Sequence, residues 1–178
     1  IMAMAPGVEW RWLKDVCNAL NCNSPPSVDK QARLRSMQEI FSAAIKQLEQ
    51  LVKIPLESRN LICAYRDTLM IGFMAARPLR RHNLAGLQIG VHLTKRRGEW
   101  HVEVPHYEVK NRRYPLEFDL PPELVPYLDF YIEKVRPRML RGTQLDSLWI
   151  AWGGTAMSDQ AIYHCLSRRT LELLGTRI

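Results

Sequence analysis

Long hydrophobic runs are missing from this chain. No apolar stretch reaches the roughly 18 residues a membrane-spanning helix requires, so a membrane is not expected among its partners. Cysteine is scarce, with four in 178 residues. Cys17 and Cys22 stand too far apart for a C-x-x-C pair, and Cys63 and Cys165 are isolated. No His or Cys partner lies at zinc spacing, so neither a zinc site nor a disulfide scaffold is predicted, and free thiols in a reducing cytoplasm are. A glycine-rich phosphate loop, an Asp/Glu cluster, internal repeats and low-complexity segments are all lacking. Acidic residues are in the minority, 18 against 25 Lys and Arg, for a net charge of +7. That balance favours a polyanionic partner, nucleic acid first and acidic lipid second. Hydrophobic residues make up 47% of the chain, enough for the core of one domain, or of one domain plus a fragment. With Ile1 at one end and Arg177-Ile178 closing the other without a tail pattern, the sequence reads as part of a longer protein.

The stretch Tyr65 to Leu87 organises the rest. After Tyr65-Arg66-Asp67, residues Leu69 to Ala76 are apolar on nearly every side, the signature of a helix inside a domain. Pro78 breaks that helix, and Arg77, Arg80 and Arg81 crowd around the break. Leu84, Ala85 and Leu87 anchor the far side. Charge is thereby set on a rigid mount; the plainer alternative is a solvated arginine-rich loop between two core helices.

Before this stretch, Val8 to Leu20 reads as a helix with Trp12, Val16 and Leu20 on one face. Asn21 to Lys30 has linker composition, with a Pro-Pro pair. Leu34 to Val52 is an amphipathic helix carrying Met37, Ile40, Phe41, Ala44, Ile45, Leu48 and Leu51 at helical spacing. After Leu87 the period changes. Ile89, Val91 and Leu93 alternate as a strand, Lys95-Arg96-Arg97-Gly98 reads as a turn, and Trp100, Val102 and Val104 form a second strand. A third, from about Arg113 to Leu120, is interrupted by Pro115, which suits an edge strand. Pro121-Pro122-Glu123 opens a helix expected to stop near Pro137. Leu148 to Trp152 is a short apolar segment closed by Gly153-Gly154. Ser158 caps a last helix, about Asp159 to Leu174, with Arg168 and Arg169 on its outer face. The predicted fold is mainly α with a small antiparallel β-sheet, an α+β class.

This order of elements resembles the catalytic domain of the tyrosine recombinases, the phage integrase family, over about residues 34 to 178. The family's buried helix leads into T-G-L-R-x-x-E-L, and Arg77-Pro78-Leu79-Arg80-Arg81-His82-Asn83-Leu84 stands in that place. Its catalytic lysine lies between the second and third strands, where Val109-Lys110-Asn111-Arg112-Arg113 runs on to Asp119-Leu120-Pro121. Leu148-Trp149-Ile150, Gly153-Gly154 and Ser158 are similar to the segment before the family's penultimate helix. The resemblance implies a core like that of the recombinases, with residues 1–22 as the end of an N-terminal DNA-clamping domain and 23–33 as a linker. It also implies double-stranded DNA as partner, a homotetramer on DNA, and no metal or nucleotide cofactor. Two departures stand out. Asn83 replaces the usual acidic residue, which leaves Arg80 to be oriented by amide or backbone groups. The family's H-x-x-R motif and nucleophilic tyrosine have no counterpart in residues 1–178, and His164-Cys165-Leu166-Ser167-Arg168 has the wrong spacing for the former.

The implied reaction transfers a DNA phosphodiester to a tyrosine and back. A guanidinium offers a planar fork to two non-bridging oxygens, the role implied for Arg80. Donors so placed are commonly worth about 3–4 kcal/mol in the transition state. The leaving oxygen needs a proton, the role implied for Lys110. Arg77, Arg81, Lys95, Arg96, Arg97, Arg112, Arg113, Arg168 and Arg169 are either a solvated basic surface or phosphate contacts that give affinity without sequence reading. Two other classes fit the same residues: a DNA-binding protein descended from a recombinase without its catalysis, and a helical regulator that reads the major groove with Asp159 to Leu174.

Overall fold

A computed structural model of the chain describes residues 9–24, 34–55, 57–110 and 113–177. The chain divides into two compact units, Ile1–Arg33 and Leu34–Ile178.

The first unit contributes one described helix, α1 (Arg11–Asn23). It starts later than the apolar spacing predicts; Trp10 is the capping residue, and the Arg11 N–H donates to the Glu9 carboxylate at 3.0 Å. The stripe of Trp12, Val16 and Leu20 is exposed.

The second unit is mainly helical with one three-stranded antiparallel sheet. Helix α2 (Met37–Val52) begins at a capping box. Ser36 Oγ accepts the Glu39 N–H at 3.1 Å, and the Glu39 carboxylate accepts the Ser36 N–H at 2.8 Å. That box, and not the first apolar residue Leu34, sets the start. Ile40, Ala44, Leu48 and Leu51 are its buried stripe. Helix α3 (Arg59–Ala76), capped by Ser58, is the centre of the unit and is buried at every residue from Ala64 to Phe73. Gly72 lets its neighbours approach closely, since a Cβ there would stand 3.1 Å from Leu124 Cδ1 and 3.5 Å from Ala44 Cβ.

Burial of α3 takes two charges with it. Arg66 donates to Asp67 Oδ1 from Nε at 2.9 Å and from Nη2 at 2.6 Å, and its Nη1 donates to the Ile150 carbonyl at 2.8 Å. Burial pulls the Arg66 guanidinium down, and the Asp67 carboxylate outweighs it, leaving arginine held above its ordinary value. A buried charge of this kind persists only when paired.

Arg77 and Pro78 end α3 in extended backbone, and the short helix α4 (Arg81–Ala85) follows. The sheet comprises β1 (Leu93–Arg96), β2 (Glu99–Val104) and β3 (Leu116–Asp119) in the order β1-β2-β3. The first strand starts at Leu93, where the alternation predicted a strand from Ile89. Gly90 has φ +82°, and the Leu93 N–H returns to the Gln88 carbonyl at 3.0 Å, so Ile89 to His92 form a turn with Val91 exposed. Lys95 and Arg96 belong to β1, and only Arg97-Gly98 turn, with φ +53° and +90°, as a two-residue hairpin of this hand requires. Trp100, Val102 and Val104 face the core.

The next helix begins at Val125 rather than at Pro121 and runs past Pro137. It comprises α5 (Val125–Phe130), a π-helical turn (Tyr131–Val135) and α6 (Arg136–Leu140). Pro126 and Pro137 each fall in the first turn after an irregularity, where a missing N–H is tolerated. Tyr131 and Trp149 are fully buried, with ring centroids 5.5 Å apart, and Phe73 meets Trp149 edge-on at 6.0 Å. The last helix, α7 (Asp159–Leu174), is capped by Ser158 and closed by Gly175 at φ +70°. No described helix is long and apolar enough to cross a membrane.

Candidate nucleic-acid interface

Arg80 sits between the two helices that frame it. Leu79 and Leu84 are buried on either side, and the Arg80 carbonyl accepts the Leu84 N–H at 2.9 Å. The backbone is therefore fixed while the guanidinium stands exposed. Among the described residues it has no side-chain hydrogen bond or ion pair.

The Arg80 side chain lines an open cleft of about 540 Å³ between the end of α3, α4 and α7, beside Arg81, His82, Asp159, Tyr163 and Ser167. Arg81 lies over the Tyr163 ring, 5.4 Å from its centroid, and His82 Nδ1 is 3.5 Å from Asp159 Oδ2. Arg80, Arg81 and His82 thus share the cleft with the Asp159 carboxylate, over a floor of Met74, Leu84 and Leu166.

Lys110 projects from the connection between β2 and β3, exposed and without an ion pair among the described residues. That connection is not loose where it nears Lys110. The Glu108 N–H donates to the Pro105 carbonyl at 3.0 Å, and the Val109 N–H to the His106 carbonyl at 3.2 Å. Asn83, buried on α4, donates its Nδ2 hydrogen to the Glu108 carbonyl at 3.0 Å. Hence the helix that follows Arg80 is bonded to the loop that carries Lys110. The Asn83 amide is thus bonded to the loop and not to Arg80.

The other basic residues divide. Arg96 and Arg97 are exposed at the hairpin tip and Arg113 is exposed before β3, while Arg112 lies outside the described residues. Arg77 is exposed, 5.9 Å from the Phe118 ring centroid. Lys95 is held by Asp129, at 2.8 Å from each carboxylate oxygen, and the same carboxylate accepts the Trp100 Nε1 hydrogen. Arg168 donates to the buried Asp67 at 3.2 Å, and the largely buried Arg169 pairs with Glu172. These last two line a separate cleft of about 400 Å³ with Asn60 and Cys63. Lys95, Arg168 and Arg169 therefore have work within the fold.

Sequence reasoning missed the contacts of Tyr163 and Asp159 with α4, which depend on how α7 docks and leave no local signal. Tyr65 and Tyr131 are packing residues: Tyr131 donates to the Leu148 carbonyl at 3.0 Å, and burial holds both phenols well above their ordinary range. Cys17, Cys22, Cys63 and Cys165 are free thiols. Among the described residues no three His, Cys, Asp or Glu side chains converge as metal ligands would. The chain matches no protein-family model, no curated protein and no solved structure.

Proposed function

We propose that residues 34–178 form a DNA-handling catalytic domain of the tyrosine-recombinase type. The parent protein would be a site-specific recombinase or integrase of a mobile element, acting on double-stranded DNA as a tetramer. The observation that carries this reading is Arg80: an exposed, unpaired guanidinium on a fixed backbone, in an open cleft beside Arg81 and His82, with the helix after it bonded to the connection that holds Lys110. In the reaction Arg80 would bind two non-bridging oxygens as charge develops on them, and Lys110 would deliver a proton to the leaving 5′-oxygen. Residues 1–22 would be the end of an N-terminal DNA-clamping domain. Since residues 1–178 hold no counterpart of the family's nucleophilic tyrosine, the activity expected of them is duplex binding.

A second reading, a recombinase-derived protein that occupies DNA without cutting it, draws support from Asn83. Its amide is engaged by Glu108, which leaves Arg80 without a side chain to orient it. The regulator reading draws less support, because Arg168 and Arg169 are paired within the fold.

The test is duplex binding by fluorescence anisotropy across a salt series. Binding at about 50 mM salt that weakens linearly on a log–log scale is expected, as released counterions demand. No binding at that salt would overturn both DNA readings.

A further inference from the structure

We propose that Asn83 and His92 are positioning residues that clamp the β2–β3 connection at Glu108, so that Lys110 is presented from a fixed point rather than from a free loop. The role given to Lys110 rests on the functional reading above; the clamp itself does not.

The described residues 105–110, which follow β2, form turns and no helix or strand, and a surface connection of that kind is normally mobile. Glu108 is held there by two backbone hydrogen bonds, and its side chain lies against a third group. Its N–H is held by Pro105 and its carbonyl by Asn83 Nδ2, each at 3.0 Å. Its carboxylate Oε2 lies 3.2 Å from Nε2 of the His92 ring, a close polar contact that is out of line for a directed hydrogen bond.

Both clamping side chains are buried, Asn83 at 8% exposure and His92 at 6%. Each is also fixed independently of the loop. Asn83 rides on α4 between Arg80 and the buried Leu84. His92 Nδ1 accepts the Gln88 N–H at 3.1 Å, which leaves the ring hydrogen on Nε2, facing Glu108. The His92 backbone is bonded on both sides, donating to the Gln88 carbonyl at 2.9 Å and accepting from the Glu103 N–H at 2.8 Å. Two buried polar side chains that converge on one exposed loop residue are poor packing material, since apolar residues would fill the space without needing partners. Their placement makes sense if the loop must be held. It also explains the residue on α4: a carboxylate at position 83 would face the Glu108 carbonyl oxygen with no hydrogen to give, whereas an amide donates.

The experiment uses the full chain and two variants, Asn83→Asp and Glu108→Ala. The second alters a side chain 38% exposed, so it keeps the test open if the first fails to fold. Hydrogen exchange of the Tyr107 to Lys110 amides is measured without DNA. At least a ten-fold faster exchange there, with the amides of α3 unchanged, is expected; unchanged exchange in a folded variant overturns the clamp. Lys110→Ala is then placed in the wild-type and clamp-variant backgrounds and duplex affinity measured. Positioning requires that Lys110→Ala weaken binding in the wild type and have a smaller effect once the clamp is broken. An equal effect in both backgrounds overturns positioning. If Lys110→Ala has no effect in the wild type while the loop loosens in the variants, the clamp stands and the functional reading of Lys110 fails.

Discussion

Arg168, on α7, reaches across to α3 and donates to Asp67, a carboxylate with no exposed surface, at 3.2 Å. The same carboxylate already binds Arg66 through two hydrogens. One buried acid therefore ties the central helix to the last helix and, through the bond from Arg66 to the Ile150 carbonyl, to the apolar segment before it. The two sides of this cluster should respond differently to mutation. Asp67→Ala strands the Arg66 charge in the core and is expected to destabilise by about 3–5 kcal/mol. Arg168→Ala removes a partner that is 58% exposed, and after solvent screening about 1 kcal/mol is expected. Urea unfolding of both variants checks the order; a larger loss for Arg168→Ala would contradict it.

The capping box gives a second prediction. Ser36→Ala should cost about 1 kcal/mol of stability by removing the acceptor for the Glu39 N–H. Its pH dependence has a definite sign. The Ser36 backbone N–H, and then its side chain, hold the Glu39 carboxyl below the ordinary 4.5. This stabilisation is therefore present above the ordinary carboxylate value and is lost as pH falls through the lower folded value. Helix melting followed between pH 6 and 3 should show the wild type losing stability with acid, and Glu39→Gln, which has no carboxyl to protonate, should lose less.

Gly154 is a third case. It has φ +82°, and a Cβ there would lie 2.9 Å from the Leu140 carbonyl oxygen and 3.1 Å from Thr143 Oγ1. Neither backbone strain nor contact with a carbonyl relaxes easily. Gly154→Ala is expected to destabilise by about 1–3 kcal/mol. Gly153→Ala, where no heavy atom lies within 4 Å of the added carbon, should be near neutral. Thermal melts of the pair separate the two.

The central helix, the arginine-bearing break after it, the strand that carries Trp100 and the last helix were all legible, because each depends on local periodicity or on a cap. Ser158 and the bounds of α7 needed nothing from the rest of the fold. The start of β1 was not legible: Ile89, Val91 and Leu93 alternate as a strand would, but Gly90 takes positive φ and turns the chain. The passage of the fifth helix through Pro137 depended on a π-helical turn that no composition signal marks. At the candidate site, the sequence pointed to Arg80 and Lys110 but not to what holds them, since Asn83 to Glu108 and Arg81 to Tyr163 are long-range contacts. Likewise Lys95 and Arg168 could not be told from free surface cations until Asp129 and Asp67 were found beside them.

The central claim is that Arg80 meets a DNA phosphate. It is tested most directly by the salt dependence of duplex binding for the wild type, Arg80→Ala and Lys53→Ala, the last lining a different cleft with Phe130 and Lys134. Loss of one phosphate contact should reduce the log–log slope by about 1. The account predicts that reduction for Arg80→Ala, with a wild-type slope retained by Lys53→Ala. An unchanged slope in Arg80→Ala, or an equal reduction in both variants, would contradict it.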